Sequence, residues 1–140
     1  MALAVLDASA LVAFVLKERG HDTVKKVISA QGGTVVASTN MVEALDVARR
    51  KGHTRSSDDL LSDLGQLSVH VEPVTEADVL EAVFVLRRAE EERALHPEVG
   101  GISLGDATCL AVAKRLALPV VASDSAWDVL ATGVTVHPFR

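Results

Sequence analysis

Short β-branched apolar runs alternate along this chain with longer stretches of helical period, and that alternation most narrows what it can fold into. The runs are Leu3–Leu6, Thr34–Ala37, Ser68–Val71, Pro119–Ala122 and Val134–His137. Between them, Val24, Val27 and Ile28 share one helical face, and Met41, Ala44, Leu45 and Ala48 another. Val79, Ala82, Val83 and Leu86 form a third, and Leu104, Ala107, Leu110, Ala111 and Ala113 a fourth. Glycines and prolines punctuate the series at Gly20, Gly32-Gly33, Gly52, Gly100-Gly101, Pro119 and Gly133. Strands that alternate with helices predict an α/β domain whose mostly parallel sheet is covered on both faces.

The bulk numbers agree with that class. A chain of 140 residues predicts one domain, 1–140, large enough to bury a core without staples. Half the residues are hydrophobic and only 24% are charged, which excludes disorder. The single cysteine, Cys109, rules out an internal disulfide and a Cys-rich zinc site, and it fits a reducing, cytoplasmic setting. The five histidines make no HExxH-type arrangement, which argues against a zinc enzyme. No signal peptide or membrane span is expected, since Asp7 interrupts the apolar opening and no apolar run is long enough. The net charge of −5 speaks against a general nucleic-acid binder, but four acids gathered on a metal would leave the remaining surface close to neutral.

Four acids are expected to meet. In a parallel α/β sheet, ligands bind beyond the carboxyl ends of the strands. Asp7 ends the first strand and Asp124 the fourth. Glu43 lies early in the helix leaving the second strand, with Ser38, Thr39 or Asn40 as its N-cap. Asp106 opens the helix feeding the fourth strand, capped by Ser103, so its end of that helix shares the same rim. Clustered carboxylates repel one another unless a cation neutralises them, which predicts a divalent-metal site of hard oxygen ligands. Each acid has a plainer reading as well: near a helix start it is a dipole partner worth ~0.3–1 kcal/mol. Asp128 either joins the site or faces solvent, Asp46 reads as a surface residue, and Cys109 as packed core.

The motifs resemble those of a known family. Val5-Leu6-Asp7-Ala8-Ser9-Ala10-Leu11 is similar to the first motif of the PIN-domain ribonucleases, and Ser38-Thr39-Asn40-Met41-Val42-Glu43-Ala44 to their second. The segment from Ile102 to Leu116 resembles the third, in the form used by VapC-type toxins of type II toxin–antitoxin pairs. Val120-Val121-Ala122-Ser123-Asp124-Ser125-Ala126-Trp127 resembles the fourth, tryptophan included. The resemblance implies a three-layer α/β/α domain with a five-stranded parallel sheet. It implies an Mg²⁺- or Mn²⁺-dependent endoribonuclease, a toxin that cleaves RNA with a metal-activated water. It further implies a homodimer neutralised by a cognate VapB-type antitoxin, with Asp7, Glu43, Asp106 and Asp124 as catalytic metal ligands and Ser9 supporting the first acid. Two departures stand out. Relatives often carry Arg directly after the third and fourth acids, where this chain has Ala107 and Ser125. A catalytically weak PIN-like domain acting as a protein-binding regulatory partner is the alternative. An aspartyl-phosphate enzyme is disfavoured, because Ser9 stands where a second acid would be needed.

Overall fold

The computed structural model describes residues 2–98, 101–123 and 133–140. The chain runs β1 (Ala4–Leu6), α1 (Ala8–Leu16), α2 (His21–Ser29), β2 (Thr34–Ala37), α3 (Ser38–Arg50), α4 (Ser57–Gln66) and β3 (Val69–Glu72). It continues through α5 (Glu76–Leu95), α6 (Leu104–Leu116), β4 (Val120–Ala122) and β5 (Val136–Pro138). The strands form one five-stranded sheet in the order β3-β2-β1-β4-β5, every pairing parallel.

The period of two along each strand divides the interior. Ala4 and Leu6 of β1, Val36 of β2 and Val121 of β4 pack into one core with Leu11, Val24, Ile28, Met41 and Leu64, which come from α1 to α4. Val5, Val35, Val120 and Ala122 point the other way, onto Ala82, Val85, Ala107, Leu110 and Ala111 of α5 and α6. Helices therefore cover both faces, as the alternating pattern predicts, and the sheet has the five parallel strands that the family resemblance implies. Val5 and Leu6 are both fully buried, as expected of a central strand with two covered faces.

Two helices, α1 and α4, are absent from the periodic stretches picked out in the sequence. α1 is apolar nearly all round, so it shows no polar face to alternate with, whereas α4 presents only Leu60 and Leu64 to the core. On α5 the expected inward face holds only in part: Ala82 is buried and Leu86 packs against the core. Val79 and Val83 are about half exposed, at 53% and 51%, and the stripe that goes inward is Asp78, Ala82 and Val85. The cause is an ion pair. Arg115 Nε of α6 donates to both carboxylate oxygens of Asp78 at 3.0 and 3.1 Å, which rotates an acid into the interface. Leu104 likewise departs from its expected face and lies exposed at the start of α6. No helix among the described residues is long and apolar enough to cross a membrane.

Candidate metal centre

The chain builds β1, β2 and β3 outward in one direction, then returns to add β4 and β5 on the other side of β1. The carboxyl ends of β1 and β4 thus flank the point where strand order reverses, the usual crevice for a ligand in such sheets. Asp7 follows β1 directly. Its backbone N–H donates to Val121 O of β4 at 3.1 Å, which fixes it at that crevice.

Asp7 is 5% exposed and serves as the N-cap of α1, its Oδ1 accepting the Ala10 N–H at 2.7 Å. The Ser9 hydroxyl reaches both carboxylate oxygens at 2.8 Å and lies 3.2 Å from Ser123 Oγ at the end of β4. Burial, reinforced by the negative charges of Asp106 and Glu43, nonetheless pushes the Asp7 carboxyl up to about 6, against the pull of the Ala10 and Ser9 hydrogen bonds. A capping interaction contributes only ~1 kcal/mol. A carboxyl raised by about two pH units is disfavoured in its charged form by roughly 3 kcal/mol. Helix capping alone does not account for an acid at this place.

Asp106 is the third residue of α6 in a capping box. Its Oδ2 accepts the Ser103 N–H at 2.9 Å, while Ser103 Oγ accepts the Asp106 N–H at 3.1 Å. The dipole-partner role is therefore realised, and it occupies only one carboxylate oxygen. Glu43, one turn into α3, is raised by partial burial and then by Asp106, with the Asn40 amide pulling the other way. The Cys109 thiol is wholly buried behind the three acids and is raised well above its ordinary range by burial first and their charges second, which removes it as a nucleophile.

The N-cap expected for α3 is replaced. The helix starts at Ser38 with no side-chain cap, because β2 runs into it without a linker. Ser38 Oγ instead accepts the Val74 N–H at 3.3 Å, and Asn40 turns inward. Its Nδ2 donates to Glu43 Oε1 at 3.3 Å and to Gly105 O at 3.0 Å. This residue is missed by reading the sequence as a set of caps. The available signal is a polar side chain one turn ahead of Glu43, where it can reach the acid.

Asp7, Glu43 and Asp106 thus influence one another, while Asp124, Ser125 and Asp128 lie outside the described residues. Among the described residues no three His, Cys, Asp or Glu side chains are drawn tightly enough together to hold a metal as they stand. The donor chemistry does fit a hard divalent ion. Glu43 Oε2 and Asp106 Oδ1 accept no hydrogen bond among the described residues, and the ion pairs there lie elsewhere, on partners such as Asp46, Glu81 and Asp78. Asp46 pairs with Arg49 and Arg50 on the surface. Ala107, where relatives often carry Arg, is fully buried in the core behind the site, so that position cannot contact phosphate in this chain.

The family model described as PIN domain matches residues 4–132. No curated protein sequence matches. Among solved structures, the toxin–antitoxin complex from Klebsiella pneumoniae superposes with a TM-score of 0.71 at 12% identity, covering 98% of each chain. FitAcB from Neisseria gonorrhoeae gives 0.69 at 15% identity, also over 98% of each chain. The Mycobacterium tuberculosis toxin VapC20, described as cleaving the sarcin–ricin loop, gives 0.63 at 20% identity, over 90% of this chain and 93% of its own. At these identities the likeness is one of fold.

Proposed function

This chain belongs to the PIN domain family, and from that premise we propose that it is an Mg²⁺- or Mn²⁺-dependent endoribonuclease, the toxin of a VapBC-type pair. The observation that carries the reading is the gathering of Asp7, Glu43 and Asp106 at the crevice beside β1, with no Lys or Arg of the described residues paired to any of them. Asp124, which follows β4, is proposed as the fourth acid.

A divalent cation bound by these carboxylates supplies a Lewis acid that lowers the pKa of water and offsets charge on the phosphoryl group. The side chains do the rest by position. Ser9 keeps the Asp7 carboxylate in one orientation, and Asn40 does so for Glu43. Ser103 anchors Asp106 through one oxygen and leaves the other directed to its own use. Water attacks phosphorus, the bond to the 3′ oxygen breaks, and that oxygen takes up a proton. The products carry a 5′ phosphate and a 3′ hydroxyl. No side chain forms a covalent bond to substrate.

Similarity to toxin–antitoxin complexes supports an antitoxin as the protein partner, and the working form is proposed to be a cytoplasmic homodimer of single-domain chains spanning residues 1–140. The buried Ala107 favours a second reading, a domain that binds its partner and cleaves RNA weakly, because one common source of a phosphate contact is closed. Sequencing RNA ends after induced expression separates the two. New 5′-phosphate ends at defined sites support the ribonuclease, and an unchanged end profile favours the binding domain.

A further inference from the structure

Two residues near the site are not explained by stability, and both meet Glu43. Asn40 is 2% exposed, and among the described residues its Oδ1 is buried without a hydrogen-bond partner. An unsatisfied buried acceptor costs about 1–3 kcal/mol. Turning the amide over would not help, since it would set Oδ1 against the Glu43 carboxylate and the Gly105 carbonyl, both acceptors. A leucine, with the same branching and the same number of side-chain heavy atoms, would bury no orphan, so the position is poorly filled for stability alone. Gly105 is the second case. It stands in the first turn of α6 with no positive φ that would call for glycine, yet a Cβ there would overlap the Glu43 carboxylate.

We propose that Asn40 is a positioning residue that seats the Glu43 carboxylate over the first turn of α6, in the space left open by Gly105. The two Nδ2 bonds, 3.3 Å to Glu43 and 3.0 Å to the Gly105 carbonyl, tie the start of α3 to the start of α6 and bring Glu43 beside Asp106. The chemistry of the donor matters. A neutral amide orients a carboxylate without cancelling its charge, whereas a Lys or Arg in the same place would compete with the metal. The first turn of α6 adds the positive end of a helix dipole, which favours an anion there.

The inference rests on the metal-dependent reading, and its test keeps the two apart. The full chain and its Asn40→Leu variant are titrated with Mn²⁺ by calorimetry, and each is melted in EDTA. The seat predicts Mn²⁺ affinity at least about tenfold weaker in the variant, with a melting temperature in EDTA equal to or above that of the unsubstituted protein. Unchanged affinity overturns it, as does a parallel loss of affinity and stability, which marks a structural role. Should leucine prevent folding, Asn40→Ala removes the same donors and must show the same loss of affinity. Gly105→Ala, which leaves Asn40 in place, is expected to weaken Mn²⁺ binding by displacing the carboxylate, and full affinity there overturns the seat. An unsubstituted protein that binds no Mn²⁺ overturns the metal reading along with it. Mn²⁺ binding that survives Asn40→Leu intact overturns the seat alone.

Discussion

Ser9 and Asp7 are bound so that one hydroxyl lies 2.8 Å from each of the two carboxylate oxygens. A single donor shared this way sets the plane of the carboxylate while satisfying little of its charge. The acid at the end of β1 is therefore oriented but not neutralised: burial outweighs its bonds from Ala10 and Ser9, and the charges of Asp106 and Glu43 add to the rise.

Asp7→Asn is expected to abolish metal-dependent cleavage while leaving the metal-free fold intact and more stable. Asparagine keeps the acceptor for the Ala10 N–H and removes a charge disfavoured by burial, a gain of about 1–3 kcal/mol near neutral pH. Urea melts in EDTA measure this directly. A variant less stable than the unsubstituted protein, or one that still cleaves RNA at the original rate in Mg²⁺, would count against the account.

The same acid gives a pH dependence with a definite sign. The folded-state value of about 6 lies above the ordinary 3.8, so between them the folded state binds more protons than the unfolded one. Asp7 therefore makes the metal-free protein more stable as pH falls from about 7 toward 4. Glu43, also raised, acts in the same direction. Melting temperatures in EDTA should rise on going from pH 7.5 to 5.5, and the rise should shrink in Asp7→Asn. In excess Mn²⁺ the trend should reverse, because protons compete for the ligands.

Away from the site, Asp78 anchors α5 to α6. It accepts from Arg115 and from the Thr75 N–H, and its carboxyl is held below its usual value because these bonds outweigh its burial. Arg115 also reaches Glu72 Oε1 at 3.0 Å and the Pro73 carbonyl at 3.1 Å. Asp78→Ala removes a capping box and one of the two carboxylates on Arg115, whose guanidinium keeps Glu72 and the Pro73 carbonyl, so a loss of about 1–2 kcal/mol is expected. Denaturant unfolding in the absence of metal reads this cost. A loss under about 0.5 kcal/mol would place the pair among surface ion pairs of little consequence.

Arginine introduced for phosphate binding should fail at Ala107. That position is fully buried in the core, so Ala107→Arg would overpack the interface of α6 with the sheet and bury a charge. Insoluble or unfolded protein is the expected result. A folded variant with tighter RNA binding would mean that α6 can rotate to present this residue.

The strand series was legible because the runs are short and apolar, three of them starting at or just after Gly33, Pro119 and Gly133, and all five strands appear within two residues of where those runs stand. Asp7 and Asp106 were legible for a topological reason: a parallel sheet sends strand ends and the starts of following helices to one rim. The face of α5 was not, because a pattern of apolar residues cannot show that Asp78 goes inward on the strength of Arg115, 37 residues away. Asn40 was hidden for a related reason. Its neighbours at the start of a helix suggest a cap, and only the approach of α6 turns its amide toward Glu43 and Gly105.

The most direct test is cleavage of a defined single-stranded RNA by the purified chain in Mg²⁺ or Mn²⁺ and in EDTA, alongside Asp7→Asn and Glu43→Gln. The account predicts fragments with 5′-phosphate and 3′-hydroxyl ends that require the metal and are lost in both variants. Cleavage that persists in EDTA, or that either variant performs at the unsubstituted rate, would contradict it.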